Sequence, residues 1–374
     1  MAEEMNETER YYREAINDPY KCMETVKKAP WSIRYAKEQT LELCMEAVQN
    51  DGEVLAYVKE QTPEICMAAV KNSGWALEYV KEQTSDICMV AVNSNGLALK
   101  YVKEQTPEIC MAAVNSNGLA LEYVKEQTPE ICMVSVKNCG WALECVKEQT
   151  SDICMAAINS NGLALKHVKE QTPEICMAAV KNSGWALEYV KEQTPEICTA
   201  AVKNIEWALE CVKEQTSDIC MAAINSNGLA LQYVKEQTPD ICMAAVKNSG
   251  WALEYVKEQT PEICMAAVQE NFRAIRFVKE QTPEVCMTAV NESAKALQYI
   301  EHQTPEMFIA AMKHDSRAVN YISEECAKSL INNVEKRISN GQAVKPEEYY
   351  AYQNLTAELE PINSEVDMNE DFEM

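Results

Sequence analysis

A chain of 374 residues with a formal net charge of −24 and a 47% hydrophobic fraction is long enough for two or three ordinary domains, yet too poor in basic charge to track a phosphate backbone. It holds no run approaching the roughly 18 apolar residues of a membrane-spanning helix, and its first residues, MAEEMNETERYYRE, lack the apolar stretch of a secretory signal. A soluble, cytoplasmic protein is the expectation.

Residues 1–17 read as a polar lead-in, helical over Glu9 to Ile16. Over residues 18–322 one phrase then repeats, seen best from Thr172 to Gln193 as TPEICMAAVKNSGWALEYVKEQ. Its closing run KEQT places threonines at Thr40, Thr62, Thr84 and onward in steps of 22 to Thr282; Thr304 ends the series, and with the opening unit at Asp18 there are fourteen units. A fixed period of this length marks a repeat array, in which each unit buries its apolar face only against its neighbours.

With the threonine as position 0, Thr-Pro-Glu is a helix start. The hydroxyl accepts an orphan backbone N–H, proline suits the first helical position, and the glutamate faces the positive end of the helix dipole. The first helix runs through ICMAAVK to Asn-Ser-Gly, residues that favour turns and left-handed backbone. A second helix, WALEYVKEQ, returns the chain to the next threonine. At about 100° per residue, positions 3, 4, 7 and 8 share the inner face of the first helix. Positions 14, 15 and 18 (Ala186, Leu187, Val190) face inward from the second, while Glu188 and Glu192 face out. Isolated helices this short are marginal in water, so stacking must stabilise them. The fold class predicted is all-α, a two-layer α-solenoid of helical hairpins, about 120 Å long if neighbouring helices sit about 8–10 Å apart.

Thr-Ser-Asp replaces Thr-Pro-Glu at Thr84, Thr150 and Thr216, and Cys145 and Cys211 are likewise 66 residues apart, as expected if a three-unit block was duplicated. The first two and last three units drift from the pattern, as terminal units do when they must present a polar outer side. Residues 323–356 read as capping helices, over Ser323 to Ile338 and around Tyr349 to Leu355, and residues 357–374 as an acidic disordered tail. Residues 1–18 and 357–374 supply −11 of the net charge, so the array itself is only mildly acidic.

Thirteen of the seventeen cysteines stand at position 4, from Cys22 to Cys286. Stacked helices keep equivalent residues about 8–10 Å apart, beyond the roughly 7 Å that a disulfide allows, so the ladder reads as small buried hydrophobes in a reducing compartment. Three histidines and no C-x-x-C give no metal site. Methionine at position 5 forms a second ladder, either a filler between units or a binding stripe.

Position 13 varies most: Trp31, Glu53, Trp75, Leu97, Leu119, Trp141, Leu163, Trp185, Trp207, Leu229, Trp251, Arg273, Lys295, Arg317. A site that takes glutamate and arginine as readily as tryptophan must be partly exposed. With the aromatic at position 17 it draws a stripe edged by glutamates, and Trp75, Tyr79, Trp141, Trp185, Tyr189, Trp207, Trp251 and Tyr255 are the candidate partner-binding residues. Lateral packing between second helices is the other reading of the same stripe.

The pieces A-L-x-Y and A-V-x-x-N-G of this phrase resemble the short helical repeats known as domain of unknown function forty-one-sixteen. The likeness covers residues 18 to 321 and implies the helical-repeat fold without an activity. No phosphate loop, dinucleotide fingerprint, HExxH or nucleophile elbow occurs, so no catalytic residue, cofactor or metal is predicted and the chain reads as a non-enzyme. Only Arg273, Arg276, Lys295 and Arg317 form a basic patch, which makes nucleic acid a poor partner. The function expected is a protein–protein interaction scaffold that binds another protein or peptide. The alternative is an acidic inhibitor, of phage or mobile-element type, that mimics nucleic acid and blocks a nucleic-acid-binding protein.

Overall fold

The computed structural model describes residues 7–363, with side chains through residue 357. The first six residues of the lead-in, and the expected acidic tail from residue 364 onward, lie outside the described residues. The chain divides into two compact units, Met1–Glu192 and Gln193–Met374. Each is a stack of one recurring pair of elements, so the two-layer α-solenoid is the fold.

The pair is plain in the reference repeat. Thr172 has extended backbone and its hydroxyl accepts from the Ile175 N–H at 3.3 Å, opening a ten-residue α-helix, Pro173–Asn182. Helix Pro195–Asn204 opens in the same way. Positions 3, 4, 7 and 8 are buried as the pattern requires (Ile175, Cys176, Ala179, Val180), and so are positions 14, 15 and 18 (Ala186, Leu187, Val190). Within each unit the α-helices of neighbouring repeats pack side by side as one layer, and the returning segments pack side by side as the other.

The returning segment differs from the second helix expected. It is a six-residue 3-10 helix, Gly184–Tyr189, that ends on extended backbone at Val190, followed by a bend. The physical reason lies in the glutamine of KEQT. In Met1–Glu192, the Gln83 amide donates to the Tyr101 carbonyl at 2.9 Å and accepts from the Lys103 N–H at 3.0 Å, and Gln105 does the same to Tyr123 and Lys125. In Gln193–Met374, Gln237 clamps Tyr255 and Lys257 at 2.9 and 3.0 Å. The backbone that would have continued the helix is bonded by the preceding repeat's side chain instead.

The other residues of KEQT also have assignable parts. The ammonium of Lys103 donates back to the Lys81 carbonyl at 2.9 Å, and Lys125 to Lys103 at 2.9 Å. Threonine caps the next helix, and glutamate is exposed. Asn17, which the pattern leaves in the lead-in, begins the clamp series: it donates to the Tyr35 carbonyl at 3.1 Å and accepts from the Lys37 N–H at 2.9 Å. Gln303 ends it on Tyr321 and Ser323.

The turn between the two elements is not left-handed. Its residue is extended (Ser183, φ −147°, ψ 116°), and no described residue other than Gly341 has positive φ. Glycine at position 12 serves close approach. A Cβ on Gly96 would stand 2.4 Å from the Ala113 carbonyl oxygen of the next repeat, and on Gly228 the same distance from that of Ala245. The glycine N–H is met by position 10 of that next repeat, through Asn72 for Gly52 and Ser116 for Gly96.

The first helix is Glu7–Ala15, close to the expected span. Ser323 caps helix Glu324–Ser339, and the last helix, Pro346–Asn363, is longer than the segment around Tyr349 to Leu355 and passes Ala357. All described cysteines are free thiols, and those at position 4 are buried except Cys22. Cys139 caps and Cys145 ends the same 3-10 helix, and both are free thiols.

Two outcomes follow. Gln105→Ala leaves a backbone N–H and C=O of the next repeat without their partner, so it is expected to lose about 1–3 kcal/mol in guanidinium unfolding, whereas Glu104→Ala, beside it and exposed, stays within about 0.5 kcal/mol. Burial pushes the Cys286 thiol up to about 11, above the roughly 8.5 of a free thiol. The folded state therefore keeps this proton longer than the unfolded chain. Its contribution is fully present below about pH 8.5 and is lost as pH rises towards 11. Denaturant melts across that window should fall less steeply for Cys286→Ala than for the parent.

Candidate functional site

The 3-10 layer carries the residues singled out by the sequence. Position 13 follows the glycine, and its neighbours at positions 14 and 15 point into the core, so position 13 projects from the layer's outer side. Trp141, Trp185, Trp207 and Trp251 are 36–39% exposed, which fits a position that also accepts glutamate and arginine. Trp75 is half-buried, as are Tyr79, Tyr189 and Tyr255. Tyr79 has its acidity lowered, first by burial and then by Glu78 and Glu53.

Trp31 meets Tyr35 of its own repeat (6.2 Å, 81°), but Trp75, Trp141, Trp207 and Trp251 each meet a ring of the next repeat, 26 residues on; the residue 26 after Trp185 is a cysteine. In Met1–Glu192, Trp75 meets Tyr101 edge to face (centroids 6.0 Å apart, planes at 79°), and Trp141 meets His167 (5.8 Å, 81°). In Gln193–Met374, Trp207 meets Tyr233 (5.3 Å, 61°) and Trp251 meets Phe277 (5.7 Å, 70°). Such pairs add roughly 0.5–1.5 kcal/mol beyond buried area. The tryptophans thus pack between repeats and remain partly open to solvent, and both readings of the stripe have a physical basis.

Tyr101, His167, Tyr233 and Phe277 were missed as functional candidates because an α-helical second segment sends attention to positions 13 and 17 of one repeat. The constant offset of 26 was the available signal. Glutamates at position 16 edge the stripe: Glu144 Oε2 lies 3.9 Å from His167 Nε2, and Glu78 is hydrogen-bonded to Tyr101, holding its proton more firmly in addition to the larger effect of burial.

The α-helical layer carries the methionine ladder, half-buried in shallow clefts between helices. One such cleft is lined by Met45, Gln49, Pro63, Glu64, Met67, Ala68, Lys71 and Asn72. The methionines line these clefts between adjacent repeats. Among the described residues no group of three or more His, Cys, Asp or Glu is placed to hold a metal ion, and no helix is long and apolar enough to cross a membrane.

The family model described as Domain of unknown function (DUF4116) matches residues 40–84, 62–106, 84–128, 150–194, 216–260 and 238–282. Each match runs from one capping threonine to the threonine two repeats on. No curated protein matches the chain.

Proposed function

The chain belongs to the Domain of unknown function (DUF4116) family, and we propose that it works as a non-catalytic scaffold that binds another protein or peptide along the aromatic side of its 3-10 layer. The observation that carries this reading is the exposure of Trp141, Trp185, Trp207 and Trp251 at one register position. Half-buried tryptophan with an open edge is the side chain most enriched among residues that dominate protein–protein affinity. Residues 18–322 are the working part in this reading, residues 323–356 cap the array, and the setting is the cytoplasm.

Repetition favours binding over catalysis. Every residue of the phrase is presented about a dozen times, which multiplies weak contacts by avidity and gives no unique place for a reaction. The acidic-inhibitor alternative draws on the net charge of −24. Most of the lysines at position 19 and the glutamates at position 20 lie side by side along the linkers, which dilutes any phosphate-like row of charge.

The test is capture of native partners on the full chain. Trp141→Leu and Trp207→Leu place a residue that other repeats already carry at this position, as Leu163 and Leu229. Together they should weaken capture at least fivefold, the equivalent of about 1 kcal/mol, with helicity unchanged. Capture that appears only at low salt, is dominated by nucleic-acid-binding proteins and ignores these substitutions would favour the inhibitor instead.

A further inference from the structure

Cations already stand on the aromatic side of the 3-10 layer, supplied by the chain itself. Arg34, at position 16 of the first repeat, holds its guanidinium carbon 5.3 Å from the ring centre of Tyr57, at position 17 of the next repeat. Arg276 and Tyr299 repeat this register at 5.4 Å; within single repeats Arg34 also stands 5.0 Å from the centre of Tyr35, and Lys100 5.5 Å from that of Tyr101. The two contacts between repeats are within the roughly 6 Å over which a cation is drawn to a ring face. Position 16 of one repeat and the ring at position 17 of the next therefore form a place that accepts a positive charge.

In the repeats between, position 16 is mostly acidic, and the ring at position 17 remains except at Cys145 and Cys211. Glu144 reaches to 3.9 Å from His167 and is 70% exposed. Glu210 acts on Tyr233, whose proton is held more firmly by burial first and by this carboxylate second. Glu254 occupies the same register before Phe277 and is exposed. Trp141, Trp207 and Trp251 stand across the same three rings at 61–81°. Each corner thus offers two rings set steeply to each other and an exposed carboxylate. Where Arg34 and Arg276 bring the charge from within, these corners carry the opposite charge at the position the arginine would fill.

We propose that the corners Trp141–Glu144–His167, Trp207–Glu210–Tyr233 and Trp251–Glu254–Phe277 each take one arginine or lysine head from a basic segment of a partner protein. The carboxylate neutralises the head and the indole covers it. This rests on the scaffold reading and deepens it by naming the partner's chemistry. Because tryptophan is the strongest ring for a cation and arginine the commoner guest, arginine is the preferred head. The Trp75 corner is the weaker one, since Trp75 is less exposed and Lys100 already occupies the Tyr101 ring.

The test is titration of the full chain with an arginine-containing peptide and with the same peptide carrying neutral citrulline in place of arginine, followed by indole fluorescence and calorimetry. The arginine peptide should bind, the citrulline peptide should not, and Trp207→Leu and Trp251→Leu should each weaken the arginine peptide about two- to fivefold at unchanged net charge. Glu210→Gln should weaken it as well. Equal binding of the two peptides overturns the proposal, as does a response to Glu210→Gln without any response to the tryptophan variants, which would mark a merely acidic surface. Native partner capture is read separately: capture that depends on the tryptophans while the arginine peptide does not bind would overturn this inference and leave the scaffold standing.

Discussion

A single side-chain amide makes separate repeats into one structure. The glutamine of KEQT donates to a carbonyl and accepts from an N–H of the next repeat, as Gln105 does with Tyr123 and Lys125. It acts as a short piece of backbone supplied from outside. Those two groups sit at the end of the 3-10 helix and in the linker beyond it, where neither local helix satisfies them, and burying them unpaired would be costly. The clamp thereby allows the second element to stop after six residues, and the short element keeps the repeat to 22 residues. It also makes every repeat's backbone depend on the repeat before it.

Close approach is the second constraint, and it acts through glycine and small core residues. Gly96 lies against the Ala113 carbonyl of the next repeat at a distance that leaves no space for a Cβ, and Ala at positions 7 and 14 is fully buried in repeat after repeat. Leucine, isoleucine and valine then fill the remaining core. Each is worth about 1.5–3 kcal/mol when fully buried, but only while a neighbour covers it. Glycine is replaced at Phe272 and Ala294, in repeats that drift in sequence towards the C-terminal cap, and also at Glu206 within the regular stretch. The cysteine ladder belongs to this core, and burial holds its thiols, such as Cys88 and Cys110, more firmly protonated without any need of metal or disulfide.

How much of this was legible depended on sequence distance. The period, the threonine caps and the buried positions were readable because each is carried by residues within about one helical turn, as Thr172 and Ile175 show. The 3-10 character was not, because what ends the helix at Tyr189 is an amide from Gln171, 18 residues earlier. Asn17 looked like part of a polar lead-in for the same reason: its role appears only once Tyr35 and Lys37 are brought to it. Glycine at position 12 was correctly seen as punctuation, but for its backbone freedom, whereas it serves packing. At the candidate surface, partial exposure of position 13 was readable from its tolerance of Glu53 and Arg273. The pairing of Trp141 with His167 was not, since it depends on the true shape of the second element.

The clamp and the stripe meet in one layer: the same 3-10 segments whose ends are held by glutamine present the tryptophans outward. The proposed binding surface and the inter-repeat support are therefore the same rows of residues, and side chains already packed between repeats lose less entropy on association. The α-helical layer, with its methionines in shallow clefts, is the competing face. Hydrogen–deuterium exchange of the full chain with and without a captured partner separates the two. Added protection should fall on the 3-10 segments around Trp141 and Trp207 and spare the α-helix amides. Protection confined to the α-helices, such as Ser151–Ser160 and Ser217–Ser226, would contradict the account.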